Sequence, residues 1–228
     1  MHYKFLNKDG SPCNGGTGNW SLPPNAEWMP PVKGLSPCAS GYHVCEREDL
    51  LAWAGPALFE VDVGWKRVRD SNKTVVQDAR LIREVEGWNN KNLRLFAADC
   101  TEHVLPLYIK SNPYDNGQSI VDCIAITRKF AYGKATKGQL VTAWDAAWSH
   151  GWSSSWTSSQ AASWAKAWIS SWSSSGAESW DAACHAARNA AEVASFPVDW
   201  DESWAAGGDA AWAAERKWQT ETLCSRVL

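Results

Sequence analysis

The sequence predicts an α+β fold in two parts, a small α+β domain over residues 1–88 followed over 89–228 by an all-α bundle of five or six short helices. Three observations carry this reading. Turn-forming residues crowd the first part, where short apolar runs alternate with polar residues in the period of a strand. From Leu93 onward the apolar residues recur at helical spacing. Tryptophan then becomes the repeating large residue, at intervals of four.

In the first part, Asp9-Gly10, Gly15-Gly16, Pro23-Pro24, Pro30-Pro31 and Ser36-Pro37 punctuate the chain. Tyr3 to Leu6 reads as a first strand and Gly41 to Cys45 as a second. Glu46 to Trp53 has helical spacing and an acidic first turn that suits the helix dipole, and Gly55-Pro56 ends it. Leu58 to Val63 alternates apolar with acidic residues, as a half-buried strand does. In the second part, Leu93, Phe96, Ala97, Cys100, Val104 and Leu107 share one helical face over Leu93 to Ile109, with an interruption expected near Pro106. Asn112 to Gly117 is a loop. Gln118 to Tyr132 is a further amphipathic helix, with Ile120, Ile124, Phe130 and Ala131 on its apolar side and Gly133 closing it.

Composition narrows the function classes. The 228 residues are 45% hydrophobic and 21% charged, in the range of ordinary soluble globular proteins. A net charge of -3 gives no field that would attract nucleic acid or an anionic membrane, and Lys66-Arg67-Val68-Arg69 is too short a run to form a basic patch. No apolar run reaches the ~18 residues of a membrane span and Met1 to Phe5 does not begin a signal peptide, so a cytoplasmic protein is expected. Seven cysteines, an odd and scattered set, are expected to stay reduced.

Tryptophan is the outlier, at 17 residues against five Phe and five Tyr. Counting in fours from Trp144 reaches Trp148, Trp152, Trp156, Trp164, Trp168, Trp172 and Trp180, and past a gap the same count lands on Trp200, Trp204 and Trp212. Four residues advance a helix by ~400°, so each indole sits ~40° further round than the last. Three or four on one short helix stay within a sector about as wide as a buried face. Breaks are expected at Ser153 to Ser155, Ser173 to Gly176, Ser195 to Pro197 and Gly207-Gly208. Ala and Ser fill most other positions and allow close helix approach, so the indoles are expected to fill facing grooves as a packed network. A stripe exposed for a protein partner or for self-association, and an array that handles light or redox equivalents, are the competing readings. Trp218 lies outside the register and is expected to sit at an edge.

Two stretches resemble known families. Tyr3 to Leu6, Cys38-x-x-Gly41-Tyr42-His43-Val44-Cys45, Leu50-Leu51-x-Trp53 and Leu58 to Val63 are similar to an N-terminal domain of uncharacterised role common in phage and bacterial proteins. Leu93 to Cys100, Val104 to Leu107 and Ile120 to Gly133, with the Ala-rich helices that follow, resemble the helical-repeat immunity proteins of bacterial toxin–immunity neighbourhoods. This chain writes Trp and Ser where such helices repeat Ala. The resemblance implies a phage or bacterial binding protein, immunity-like or accessory, in the bacterial cell or the infected host.

Candidate chemistry is sparse. Cys38, His43 and Cys45, with Cys13 as a fourth, offer metal-ligating side chains at a spacing that matches no common zinc module, and packing roles are expected instead. Asp99 with His103 and Asp181 with His185 are four apart and are expected to form surface ion pairs. Gly15, Gly16 and Gly18 read as a flexible turn. The strand order around Gly41-Tyr42-His43 is loosely similar to ADP-ribosyltransferase-like proteins, which implies NAD beside Tyr3 and His43 with Glu60 or Glu84 as the acid. No phosphate loop, nucleophile elbow or metalloprotease helix occurs, so a non-enzymatic binding or scaffolding protein without cofactor is the expectation.

Overall fold

A computed structural model describes residues 1–111, 116–151, 179–195 and 204–228. Strands and helices are both present, an α+β fold. The chain divides into two compact units, Met1–Trp88 with Val227–Leu228, and Asn89–Arg226.

The first unit holds two antiparallel sheets of three strands each. In one, β1 (His2–Leu6) pairs with β3 (Ala57–Val63), which pairs with β6 (Ala79–Glu84) across a register shift at Glu60/Val61. In the other, β5 (Lys73–Val76) lies between β2 (Tyr42–Val44) and β4 (Arg67–Asp70). Tyr3 and Cys45 join the sheets by exchanging backbone hydrogen bonds of 2.8 and 2.9 Å. Three strands went unread in the sequence. Lys66 to Arg69, considered only as a charge run, enters β4, whose Asp70 faces Lys73 across a two-residue turn. The region Glu46 to Trp53 is less regular than expected, a 3-10 turn at Arg47–Asp49 leading into α1 (Leu50–Trp53). Asp49 organises it: its carboxylate accepts the Glu46 N–H at 3.1 Å and the Arg69 guanidinium at 2.7 and 3.1 Å. Leu6, Trp20, Val44, Phe59, Val61, Val76 and Leu81 form the core, as the alternation of β1 and β3 requires.

The second unit contains α2 (Asn90–Ser111), α3 (Gln118–Ala131), α4 (Lys137–Gly151), α5 (Ser179–Ser195) and α6 (Trp204–Val227). Helix α2 packs against both α3 and α5, and α3 against α4. Because α2 is covered on two sides, Leu95 and Ala98 are buried along with the expected Leu93, Phe96, Ala97, Cys100 and Val104, whereas Leu107 is exposed. Helix α2 does not stop at Pro106 but runs through it; a proline costs one backbone hydrogen bond, which packing over the rest of a long helix outweighs. Gly133 closes α3 in a left-handed conformation, φ 68°, with its N–H on the Phe130 carbonyl and the Lys134 N–H on Lys129. On α5, Ala183, Ala186, Ala187, Ala190 and Ala191 are buried, the small face that allows α2 close approach. Helix α5 is described as far as Ser195, so the break expected over Ser195 to Pro197 runs outside the described residues, whereas α6 continues through Gly207-Gly208, where a break was expected, without one. Glycine lowers helix propensity by only about 1 kcal/mol each, which a long helix tolerates. The breaks expected at Ser153 to Ser155 and Ser173 to Gly176 lie outside the described residues.

Candidate functional site

A cavity of about 650 Å³ opens in the first unit beside β1 and β2, within the size range of small-molecule sites. Tyr3 and Lys4 reach it from β1, Tyr42 and His43 from β2, Lys73 from β5, and Gly15, Gly16 and Gly18 from the loop between β1 and Trp20. The loop read as a plain turn is therefore part of the wall. It is tied down by Asn14, whose Nδ2 donates to the Trp53 carbonyl at 2.6 Å.

The approach to β2 depends on Gly41. Its φ is +116°, and a Cβ there would stand 2.5 Å from Val75 Cγ1 and 3.2 Å from the Val76 carbonyl oxygen. Only glycine lets the chain lie this close to β5 and turn His43 to its place. His43 Nε2 accepts the Cys38 N–H at 3.0 Å, so the ring is a neutral acceptor. Burial pulls the imidazole below its ordinary range, and the positive charges of Lys4 and Lys73 pull it further. Cys38 itself holds φ at 63°, a left-handed turn closed by paired hydrogen bonds between Ser36 and Ser40.

Both lysines are held against aromatic faces. Lys73 Nζ lies 5.3 Å from the Trp53 ring, donates to Cys38 Sγ at 3.0 Å and stands 3.4 Å from Asp70. Its hydrogen bond to Cys38, with the nearby Asp70, holds its charge above the ordinary lysine range. Lys4 Nζ donates to the His43 carbonyl at 2.8 Å and lies 5.6 Å from the Trp20 ring. Burial lowers its proton affinity, opposed by the Cys13 and Cys45 sulfurs.

No carboxylate lines this cavity. Glu60 is bound by Arg83 through hydrogen bonds of 2.8 and 2.6 Å on the β3–β6 ladder, and Glu84 is exposed near the end of β6. Tyr3 and His43 thus meet at one cavity, while neither glutamate joins them. Cys45 is buried beneath, its thiol pushed up to about 12 by burial and 3.5 Å from the Tyr3 carbonyl. Among the described residues no group of three His, Cys, Asp or Glu side chains is placed to hold a metal ion. All seven cysteines carry free thiols.

In the second unit the expected Asp99–His103 pair does not form. Asp99 takes Arg128 on α3 at 2.8 Å and Arg226 on α6 at 2.5 Å, because guanidinium groups from two helices outcompete a ring on its own helix. His103 bonds instead to the buried Glu215 at 2.7 Å and stacks on Trp218, ring centroids 3.7 Å apart and 7° from parallel. Trp218, expected at an edge, is thus a packed residue. The His185 side chain lies outside the described residues. Of the tryptophan register, Trp144 and Trp148 fall within α4 and Trp204 within α6. Trp180 on α5 is partly buried, its Nε1 buried without a hydrogen-bond partner among the described residues, and Trp212 on α6 is 36% exposed. Trp152, Trp156, Trp164, Trp168, Trp172 and Trp200 lie outside the described residues. No helix among the described residues is long and apolar enough to cross a membrane. No protein-family model, curated protein or solved structure matches the chain.

Proposed function

We propose that this chain is a non-enzymatic binding protein of phage or bacterial origin, immunity-like or accessory in role, acting in the cytoplasm. Its second part is a helical bundle built around a tryptophan network, through which it meets a protein partner or a second copy of itself. The observation that supports binding over catalysis is the make-up of the cavity. Two ammonium groups stand against aromatic faces, the one imidazole is engaged as a hydrogen-bond acceptor, and every carboxylate of the first unit lies outside the walls. General acid–base work needs a titratable pair free to exchange protons at the reacting atom, whereas fixed cations and rings suit recognition.

A second reading, a NAD-using enzyme of the ADP-ribosyltransferase kind, is favoured by one observation, the meeting of Tyr3 and His43 at the same cavity. Incubation of the full-length protein with NAD separates the two. The binding reading predicts no nicotinamide release above the buffer rate. Release that His43→Ala abolishes would overturn it.

A further inference from the structure

Lys4 is a partly buried charge at the cavity wall with no described carboxylate beside it. It sits on β1 between two buried neighbours, Tyr3 and Phe5, and is itself only partly exposed. Its ammonium makes one hydrogen bond, to the His43 carbonyl, and no salt bridge to any described carboxylate. Three N–H donors are available on an ammonium, so two are left over at the cavity wall. The groups that act on it electrostatically are the Cys13 and Cys45 thiols. Burial raises both above the ordinary thiol range, so neither supplies a negative charge at neutral pH. A charge taken from water without a counter-charge is costly, and a fold that keeps one at the wall of a cavity has a use for it.

Three neighbours point to the same occupant. Lys73 brings a second positive charge to the same wall: its Nζ donates to Cys38, whose N–H donates to His43, the residue whose carbonyl holds Lys4. Gly15, Gly16 and Gly18 line the cavity, and their backbone N–H groups donate to no described acceptor. Gly15 and Gly16 have φ of +83° and +104°, and a Cβ at Gly15 would meet nothing within 4 Å. Successive free amides in such a turn form an anion-binding concavity. Resting on the binding reading above, we propose that this cavity binds a small oxyanion, a phosphate or carboxylate group, with Lys4 as its principal counter-charge and the Gly15–Gly18 amides as its further donors.

Isothermal titration of the full-length protein with pyrophosphate and, separately, with citrate tests this and distinguishes the two anion sources. Saturable binding of one or both is expected, weakened by about tenfold or more in Lys4→Met, the loss that one charge-assisted hydrogen bond implies. Lys73→Met is expected to weaken binding less, because Lys73 already shares its charge with Asp70 and Cys38. Lys4→Met should melt no lower than the unsubstituted protein, since it removes an uncompensated charge. If that variant fails to fold, the amide resonances of Gly15, Gly16 and Gly18 in the unsubstituted protein report instead and are expected to shift on titration. Binding unchanged in Lys4→Met, shifts confined to other residues, or no binding of either anion at millimolar concentration would overturn the site. Nicotinamide release from NAD would overturn the binding reading whatever the anions do; its absence together with absent anion binding would leave binding to the helices alone.

Discussion

Replacing Asp99 with alanine is expected to destabilise the protein by about 2–3 kcal/mol. The carboxylate, 12% exposed, is held by Arg128 and Arg226, whose side chains are 32% and 29% exposed. Breaking a fully buried pair costs about 3–5 kcal/mol, and the partial exposure of both guanidinium groups lowers that figure, since each can turn toward water. Arg128 also keeps Glu102 at 2.6 Å, so the larger loss falls on the α2–α6 contact through Arg226. Urea unfolding of Asp99→Ala, Arg226→Ala and the double variant, followed by circular dichroism, measures the coupling, expected at about 1–2 kcal/mol. Glu102→Ala is the control: with a carboxylate 54% exposed, it should cost under about 1 kcal/mol. An Asp99→Ala effect no larger than that of Glu102→Ala, or a coupling near zero, would refute the clamp.

Gly41→Ala is expected to cost about 2–4 kcal/mol, from a left-handed backbone and a clash with Val75 that is fully buried; a melting temperature within a degree of the unsubstituted protein would contradict this. Trp218→Ala should cost about 2 kcal/mol through the loss of its stack on His103, measurable in the same urea series, and a neutral result would return Trp218 to the edge. Stability is expected to fall as the pH rises from about 9 toward about 12. In that window the unfolded chain's thiols lose their protons while native Cys45 keeps its own up to about 12, so the unfolded state binds fewer protons and gains in stability. Cys45→Ala should flatten that slope relative to the unsubstituted protein, and equal slopes would contradict the assignment.

The elements that sequence pattern revealed are those whose burial is one-sided. β1 and β3 alternate, and α3 carries a single apolar stripe, so period alone locates them. β4 was missed because its exposed Arg67, Val68 and Arg69 carry no alternation that marks a core face, and β5 because all four of its residues are buried. An interruption is expected near Pro106 over Leu93 to Ile109, and α2 shows none, because local propensity cannot register a helix covered on two sides. Of the cavity, Tyr3 and His43 were singled out, and the Gly15-Gly16 loop was noticed but taken for a turn. Lys4 and Lys73 gave no signal, since a lysine in a strand reads as a solvated residue until its neighbours in space are known. Asp99 and His103 were paired by spacing along the helix, which cannot weigh partners arriving from α3 and α6.

Hydrogen–deuterium exchange of the full-length protein with and without pyrophosphate tests the ligand-binding cavity most directly. Slower exchange is predicted in the backbone of residues 14–18 and 38–45, with that protection lost in Lys4→Met. Exchange that is unchanged in both segments while slowing elsewhere in the chain would contradict it.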